Sequence, residues 1–316
     1  MIGLSVVYLV AGVVFSAFAV LSVLDRNNPR RLGNAAFWAL VAASFLAGDR
    51  LGDVGNGIVV LGLAAVAGLG GLGRGQPATT STDERKASAQ RFGNKLFIPA
   101  LTLPLVVVFG VLVLKPLAFD GVPLLDPKQA TLLSLSLAAV VATGVGLILL
   151  RQPLMSPLQE GRRLMDTVGW AALLPQMLAA LGAVFALAGV GETIGQLVTA
   201  YLPMDARLTA VAVYCLGMAA FTMIMGNAFA AFPVMTAGVA LPILVGKFGG
   251  DPAVIAAIGM LSGFCGTLMT PLAANFNLVP AALLELPDRY AVIRAQIPTA
   301  IPLLLANVVL MYVLAF

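Results

Sequence analysis

The chain has 316 residues, of which 60% are hydrophobic and 10% charged, and its mean hydropathy is +1.01. A soluble domain carries about 25% charged residues, so a soluble enzyme or binding module is excluded and an integral membrane protein is expected. The formal charge of +4 and the pI near 9.3 do not point to nucleic acid, because the basic residues sit in short loops between apolar runs, as the positive-inside rule requires.

The runs match the roughly 20 residues that cross a bilayer as a helix and lack the alternation of barrel strands. The fold class is therefore all-α, an integral membrane protein. About six scaffold spans come first: Ile2 to Leu24, Ala35 to Ala47, Val54 to Leu72, Leu96 to Leu114, Thr131 to Leu150, and Val168 to Val190. The first run has no basic region before it and is longer than the apolar core of a signal peptide, so it is expected to be retained as a span.

Basic residues collect in alternate loops. Arg26, Arg30 and Arg31 follow the first span; Arg74, Arg85, Lys86, Arg91 and Lys95 follow the third; Arg151, Arg162 and Arg163 follow the fifth; Arg289 and Arg294 precede the last. These are 13 of the 18 basic residues, and the rule places them in the cytoplasm with the N-terminus outside. Asp49, Asp53, Asp120, Asp126, Glu192, Asp205 and Asp251 fall on the opposite side. The expected organisation is a three-span unit over 1–72, a basic cytoplasmic linker over 73–95, further scaffold spans over 96–206 and a transport unit over 207–316. The stretch Gly68-Leu69-Gly70-Gly71-Leu72-Gly73 matches GxGxxG, but an apolar span precedes it and an arginine-bearing coil follows. Helix packing by small residues accounts for it better than a dinucleotide site.

The last third differs. Leu208 to Met225 runs into a break at Gly226 to Ala231 and resumes at Phe232 to Val245; a second run, Val254 to Phe264, breaks at Gly263 to Pro271 and resumes at Leu272 to Leu284. Ile297 to Phe316 closes the chain. Hydrocarbon cannot satisfy loose backbone groups, so such breaks persist only where protein or a wet cavity surrounds them. The first break reads as the tip of a re-entrant helical hairpin, the second as the middle of a discontinuous transmembrane helix followed by a final span. Thr270 is expected to cap a new half-helix with Pro271 at its first position, and Pro233 to play that part in the hairpin. Helix starts attract anions and helix ends offer carbonyls to cations, and secondary transporters build midplane sites from such pieces.

The candidate substrate-binding residues are Gly226, Asn227, Pro233, Thr236, Gly266, Thr267, Thr270, Asn275 and Asn277. Ser262 lies among them, and a lone Thr or Asn there equally well bonds its own backbone or a neighbouring helix. Arg207 and Lys247 flank the hairpin mouth as loop charges or as guides for an anion. Cys215 and Cys265 lie in apolar runs without metal or disulfide spacing, and the sequence has no histidine. No metal site, cofactor or enzymatic chemistry is expected. A coupling cation would be sodium or a proton, and no mid-membrane carboxylate supports the proton.

The stretches Met225-Gly226-Asn227-Ala228-Phe229-Ala230-Ala231-Phe232-Pro233-Val234-Met235-Thr236-Ala237-Gly238 and Gly263-Phe264-Cys265-Gly266-Thr267-Leu268-Met269-Thr270-Pro271-Leu272-Ala273-Ala274-Asn275-Phe276-Asn277 resemble the larger subunit of a two-subunit bacterial permease family. That family is catalogued as domain-of-unknown-function family nine-seven-nine and is associated with 5-oxoproline uptake. The resemblance implies kinship with the ion-transporter superfamily, a smaller partner subunit supplying the missing inverted repeat, an elevator-type secondary transport mechanism and a bacterial inner-membrane location. It also implies a small organic anion as substrate. Two other readings of the residues stand beside it, a non-transporting scaffold or regulatory subunit and a channel.

Overall fold

A computed structural model describes residues 1–73, 81–119, 121–284 and 286–316. Arg74 and most of the expected linker's first half, Asp120 and Glu285 lie outside the described residues. Among those described, eight helical segments are long and apolar enough to cross a membrane. Large side chains such as Leu61 and Leu105 stand about 70% exposed, a pattern that water would penalise and lipid does not. The chain is an all-α, multi-pass membrane protein, apart from a two-stranded ribbon.

It divides into two compact units, Met1–Gly169 and Trp170–Phe316. Unit 1 opens with α1 (Leu4–Leu24) and α2 (Arg31–Gly68). The expected second and third spans both lie in α2, which is broken at Gly52, whose φ of 62° and ψ of −175° leave helical space. The chain doubles back there: Asn56 donates to the Gly48 carbonyl at 2.9 Å, Leu40 touches Gly62, and Gly33 abuts the Gly71 backbone. A glycine supplies this turn because its backbone enters positive φ at no steric cost. At the open end, the Asn34 amide donates to the Gly73 carbonyl at 2.7 Å and its oxygen accepts the Gly73 N–H at 2.8 Å. The GxGxxG stretch is thus a helix end clamped to a helix start, which is packing.

Next come α3 (Thr82–Phe92), a 3₁₀ turn over Gly93–Leu96, and α4 (Phe97–Phe109), which widens into a π turn over Gly110–Leu114. Ser81 and Glu84 cap α3 reciprocally, satisfying end groups that have no partner within the helix. Strands β1 (Ala118–Phe119) and β2 (Val122–Pro123) lead to α5 (Ala130–Leu150). Helices α4 and α5 run antiparallel, with Gly110 facing Ser134 and Pro99 near Gly146.

Hydropathy places Ser156 to Val168 between the fifth span and the start of the sixth, but the structure has a thirteen-residue helix there, α6 (Ser156–Val168). Its Arg162 pairs with Asp25 at 2.9 Å, and its Asp166 accepts from the Trp38 indole at 2.8 Å. These contacts pin α6 to α1 and α2 beside the aromatic cluster of Phe15, Phe18, Phe37 and Trp38.

Unit 2 contains α7 (Leu174–Leu187), α8 (Val190–Tyr201), α9 (Arg207–Met225), α10 (Ala228–Met235), a π-helix over Thr236–Lys247, α11 (Pro252–Leu268), α12 (Leu278–Leu283) and α13 (Ala291–Leu314). The division falls at Gly169, so α7 and α8 belong with the broken elements. Glycines explain why: Gly182 meets the Ala230 backbone, and Gly191 and Gly195, one turn apart on α8, meet Gly238. Small residues at such spacing let helix backbones approach closely without a hydrophobic drive. The core lies where α9, α11 and α13 meet, around Tyr214, Met218, Ile255 and Met311. The Asp251 carboxylate caps α11 by accepting from the Ala253 N–H at 2.7 Å.

The candidate site at the two chain breaks

The first break is shorter than expected. It consists of Gly226 and Asn227, because Ala228 to Ala231 are already helical. Gly226 closes α9 at φ 73°, its N–H bonding the Thr222 carbonyl at 2.7 Å. Asn227 then opens α10, its side-chain oxygen accepting from the Phe229 N–H at 2.8 Å. Glycine ends a helix in left-handed space and asparagine starts one through its side chain, so these two residues turn the chain in the least length available. Contact between Gly217 and the Met235 methyl shows α9 and α10 folded back on each other. Pro233 is not at the helix start, as expected from sequence, but inside α10. Asn227 caps instead, moving the start five residues earlier than Pro233 would.

The second break also departs from expectation. Helix α11 ends at Leu268 and the next helix starts at Leu278. Thr270 and Pro271 therefore start no helix, and the half-helix expected from Leu272 is non-helical until Leu278. The physical reason is Asn277, which is fully buried and donates to the carbonyls of Thr267 and Thr270 at 2.8 and 2.7 Å. Those bonds hold the segment as a turn that a continuing helix could not make. The Thr270 hydroxyl donates to the Met223 carbonyl at 2.9 Å and accepts from the Leu272 N–H at 3.2 Å. Thr270 thus ties the second break to the last turn of α9.

The breaks meet. A methyl group placed on Gly226 would press on the Leu272 backbone at 2.6 Å. Beside this contact lies a small cleft of about 100 Å³, below the usual size of drug-sized ligand sites. Gly226, Asn227, Thr267 and Asn275 line it with Phe229, Phe264 and Leu178. Phe229 and Phe264 pack edge to face with centroids 5.8 Å apart, giving the cleft an apolar wall. None of the described residues lining the cleft is charged. No cluster of His, Cys, Asp or Glu among the described residues could hold a metal.

The nine residues named from sequence separate into three groups. Gly226, Asn227, Thr267 and Asn275 line the cleft. Thr270 and Asn277 brace it from behind, and Gly266 packs against the Ala219 backbone with no room for a ligand. Pro233 and Thr236 lie along the helix away from it, Thr236 beside Tyr214 at the start of the π-helix. The sequence reading missed Phe229, Phe264 and the α7 leucines Leu174 and Leu178. The aromatics lay inside the quoted motifs but carried no polar signal, and α7 sits some fifty residues earlier in the chain.

At the other end of the α9–α10 pair, Lys247 bonds the Met204 carbonyl at 3.0 Å and Asp205 at 2.7 Å. The Arg207 guanidinium stacks over the Phe316 ring at 4.8 Å. Both cations are engaged in local contacts at the end remote from Gly226.

No curated protein and no solved structure matches the chain. One family model does, over residues 5–316, and its description is "Protein of unknown function (DUF979)". Because that match takes in both breaks, the cleft between them and nearly all of both units, the chain belongs to the DUF979 family.

Proposed function

We propose that this chain is the larger subunit of a secondary transporter that imports a small organic anion, with 5-oxoproline as the first candidate. The observation that carries the reading is the meeting of two interrupted helices at an uncharged cleft holding Asn227, Thr267 and Asn275. In an otherwise apolar membrane unit, such backbone interruptions have a cost that a solute site explains. The start of α10 borders the cleft and supplies N–H groups and a partial positive charge for a carboxylate. The carboxamides of Asn227 and Asn275 suit a lactam, which both donates and accepts. Phe229 and Phe264 suit the ring methylenes.

In this reading α9, α10 and the π-helix form a re-entrant hairpin, and α11 to α12 form the discontinuous helix. They make half of an inverted-repeat site, and a smaller partner subunit supplies the other half. Unit 2 moves as the elevator, coupled to sodium or a proton, in a bacterial inner membrane with the N-terminus outside. A passive scaffold would need no uncharged amide cluster at the breaks.

The test is uptake of labelled 5-oxoproline in cells lacking their own route, expressing this chain, a candidate small subunit, or both. Saturable uptake with both, lowered at least tenfold in apparent affinity by Asn227→Ala or Asn275→Ala at equal membrane levels, supports the proposal. Tenfold corresponds to one lost hydrogen bond of about 1.4 kcal/mol. Unchanged affinity in both variants removes the cleft from the mechanism, and no uptake from an assembled pair removes 5-oxoproline.

A further inference from the structure

Unit 1 carries an open groove of about 510 Å³ that the transport reading does not use. It lies where α3 meets the end of α5. Helix α3 contributes Ser88, Arg91 and Phe92, and the end of α5 contributes Leu149, Leu150 and Arg151. Glu84 also borders it, but its carboxylate accepts from the Ser81 N–H at 2.7 Å as part of the helix cap. The remaining charge on the walls is that of two guanidinium groups.

The level of the groove is set by the elements themselves. The polar helix α3 passes through the 3₁₀ turn into apolar α4, and α5 leaves its apolar stretch at Leu150. Both segments cross from apolar to charged sequence at the groove, which is the depth of lipid headgroups. Arg151 supplies an independent sign. It is the one non-glycine residue with positive φ, 52°, among the described residues. An L residue there costs about 1 kcal/mol that glycine would avoid. The backbone turn, an N–H bond to the Ile148 carbonyl at 3.4 Å, needs no arginine side chain. A strained position occupied by an exposed cation points to a use for the cation.

We infer that this groove holds one anionic glycerophospholipid. Arg91 and Arg151 take the phosphodiester, the Ser88 hydroxyl donates to it, and Leu149, Leu150 and Phe92 receive the start of an acyl chain. Arg91 already stacks on the Phe92 ring at 5.3 Å, so its guanidinium bridges the polar and apolar walls. A free anion would leave those apolar side chains without a role.

Native mass spectrometry of the full chain in neutral detergent tests this, with phosphatidylglycerol, phosphatidylcholine or inorganic phosphate added at equal concentrations. Phosphatidylglycerol should be retained over phosphatidylcholine. Each basic residue near an anionic headgroup is worth about fivefold, so Arg91→Ala with Arg151→Gly should cut that retention by about thirtyfold. Arg151→Gly alone should cut it by about fivefold while its thermal midpoint holds or rises, because the strain is relieved. That split separates lost binding from lost folding. Equal retention of the two lipids, unchanged retention in the variants, or displacement of phosphatidylglycerol by inorganic phosphate would each overturn the inference.

Discussion

At the residue scale, the site depends on a few positions whose replacement has separable effects. Gly226 combines a positive φ with a close approach to the Leu272 backbone. Gly226→Ala should cost about 1 kcal/mol for the conformation alone and more for the contact, and it should pry the two breaks apart. Asn277 lines no cleft, yet Asn277→Ala leaves two buried carbonyls without donors, at about 1–3 kcal/mol each. Thermal unfolding of the purified variants checks both: each should lower the midpoint, and Asn277→Ala, losing two bonds, should lower it at least as far as Gly226→Ala. An unmoved midpoint for Asn277→Ala would mean that water or backbone movement replaces its bonds. These roles were partly legible in sequence. Glycine and asparagine at a break announce a helix end and a helix start, but which of Asn227, Thr270 and Asn277 caps a helix depends on contacts between segments as much as fifty residues apart.

At the element scale, two ion pairs make a useful contrast. The Arg162–Asp25 pair joins α6 to the end of α1 with both side chains about 6% exposed. Removing one partner strands a buried charge, so Arg162→Ala should destabilise by about 3–5 kcal/mol. The Lys247–Asp205 pair is as short, 2.7 Å, but Asp205 is 96% exposed. The Lys247 ammonium holds the Asp205 carboxyl below its usual range, through the hydrogen bond first and charge second. The contribution is present above the ordinary carboxylate range and lost as pH falls through the lowered value. Water and salt screen an exposed pair, so Lys247→Met should leave the unfolding midpoint within error of the unaltered chain. If the two variants destabilise equally, burial is not what sets the worth of these pairs. Helix α6 itself was not legible in sequence, because its Glu160, Arg162, Arg163 and Asp166 resemble loop charges until Asp25 and Trp38 are placed against them.

At the scale of the whole molecule, hydropathy foretold the spans well, since a run such as Thr131 to Leu150 is bounded by abrupt changes in polarity. It could not foretell which helices share a unit. The assignment of α7 and α8 to the broken elements rests on Gly182, Gly191 and Gly195 meeting Ala230 and Gly238, and small residues carry no hydropathy signal. Orientation can be tested directly. Cys215 and Cys265 are buried, so in a background with both replaced by alanine, a cysteine at Ser88 should react only with reagent inside the cell and one at Lys128 only with reagent outside. The reverse pattern would invert the proposed topology and place the basic end of unit 1 outside.

The uncharged wall of the cleft has a consequence for how the proposed transport would respond to its surroundings. Amides, hydroxyls, backbone N–H groups and phenyl rings keep the same protonation from mildly acid to mildly alkaline water. The cleft therefore offers a solute an unchanging partner across that range. Any acid-dependent step in the proposed uptake would then arise outside the cleft, in the solute, in carboxylates elsewhere in the chain, in a second subunit or in the coupling ion, and comparing a solute with its permanently charged or permanently neutral analogue would tell whether it is the solute.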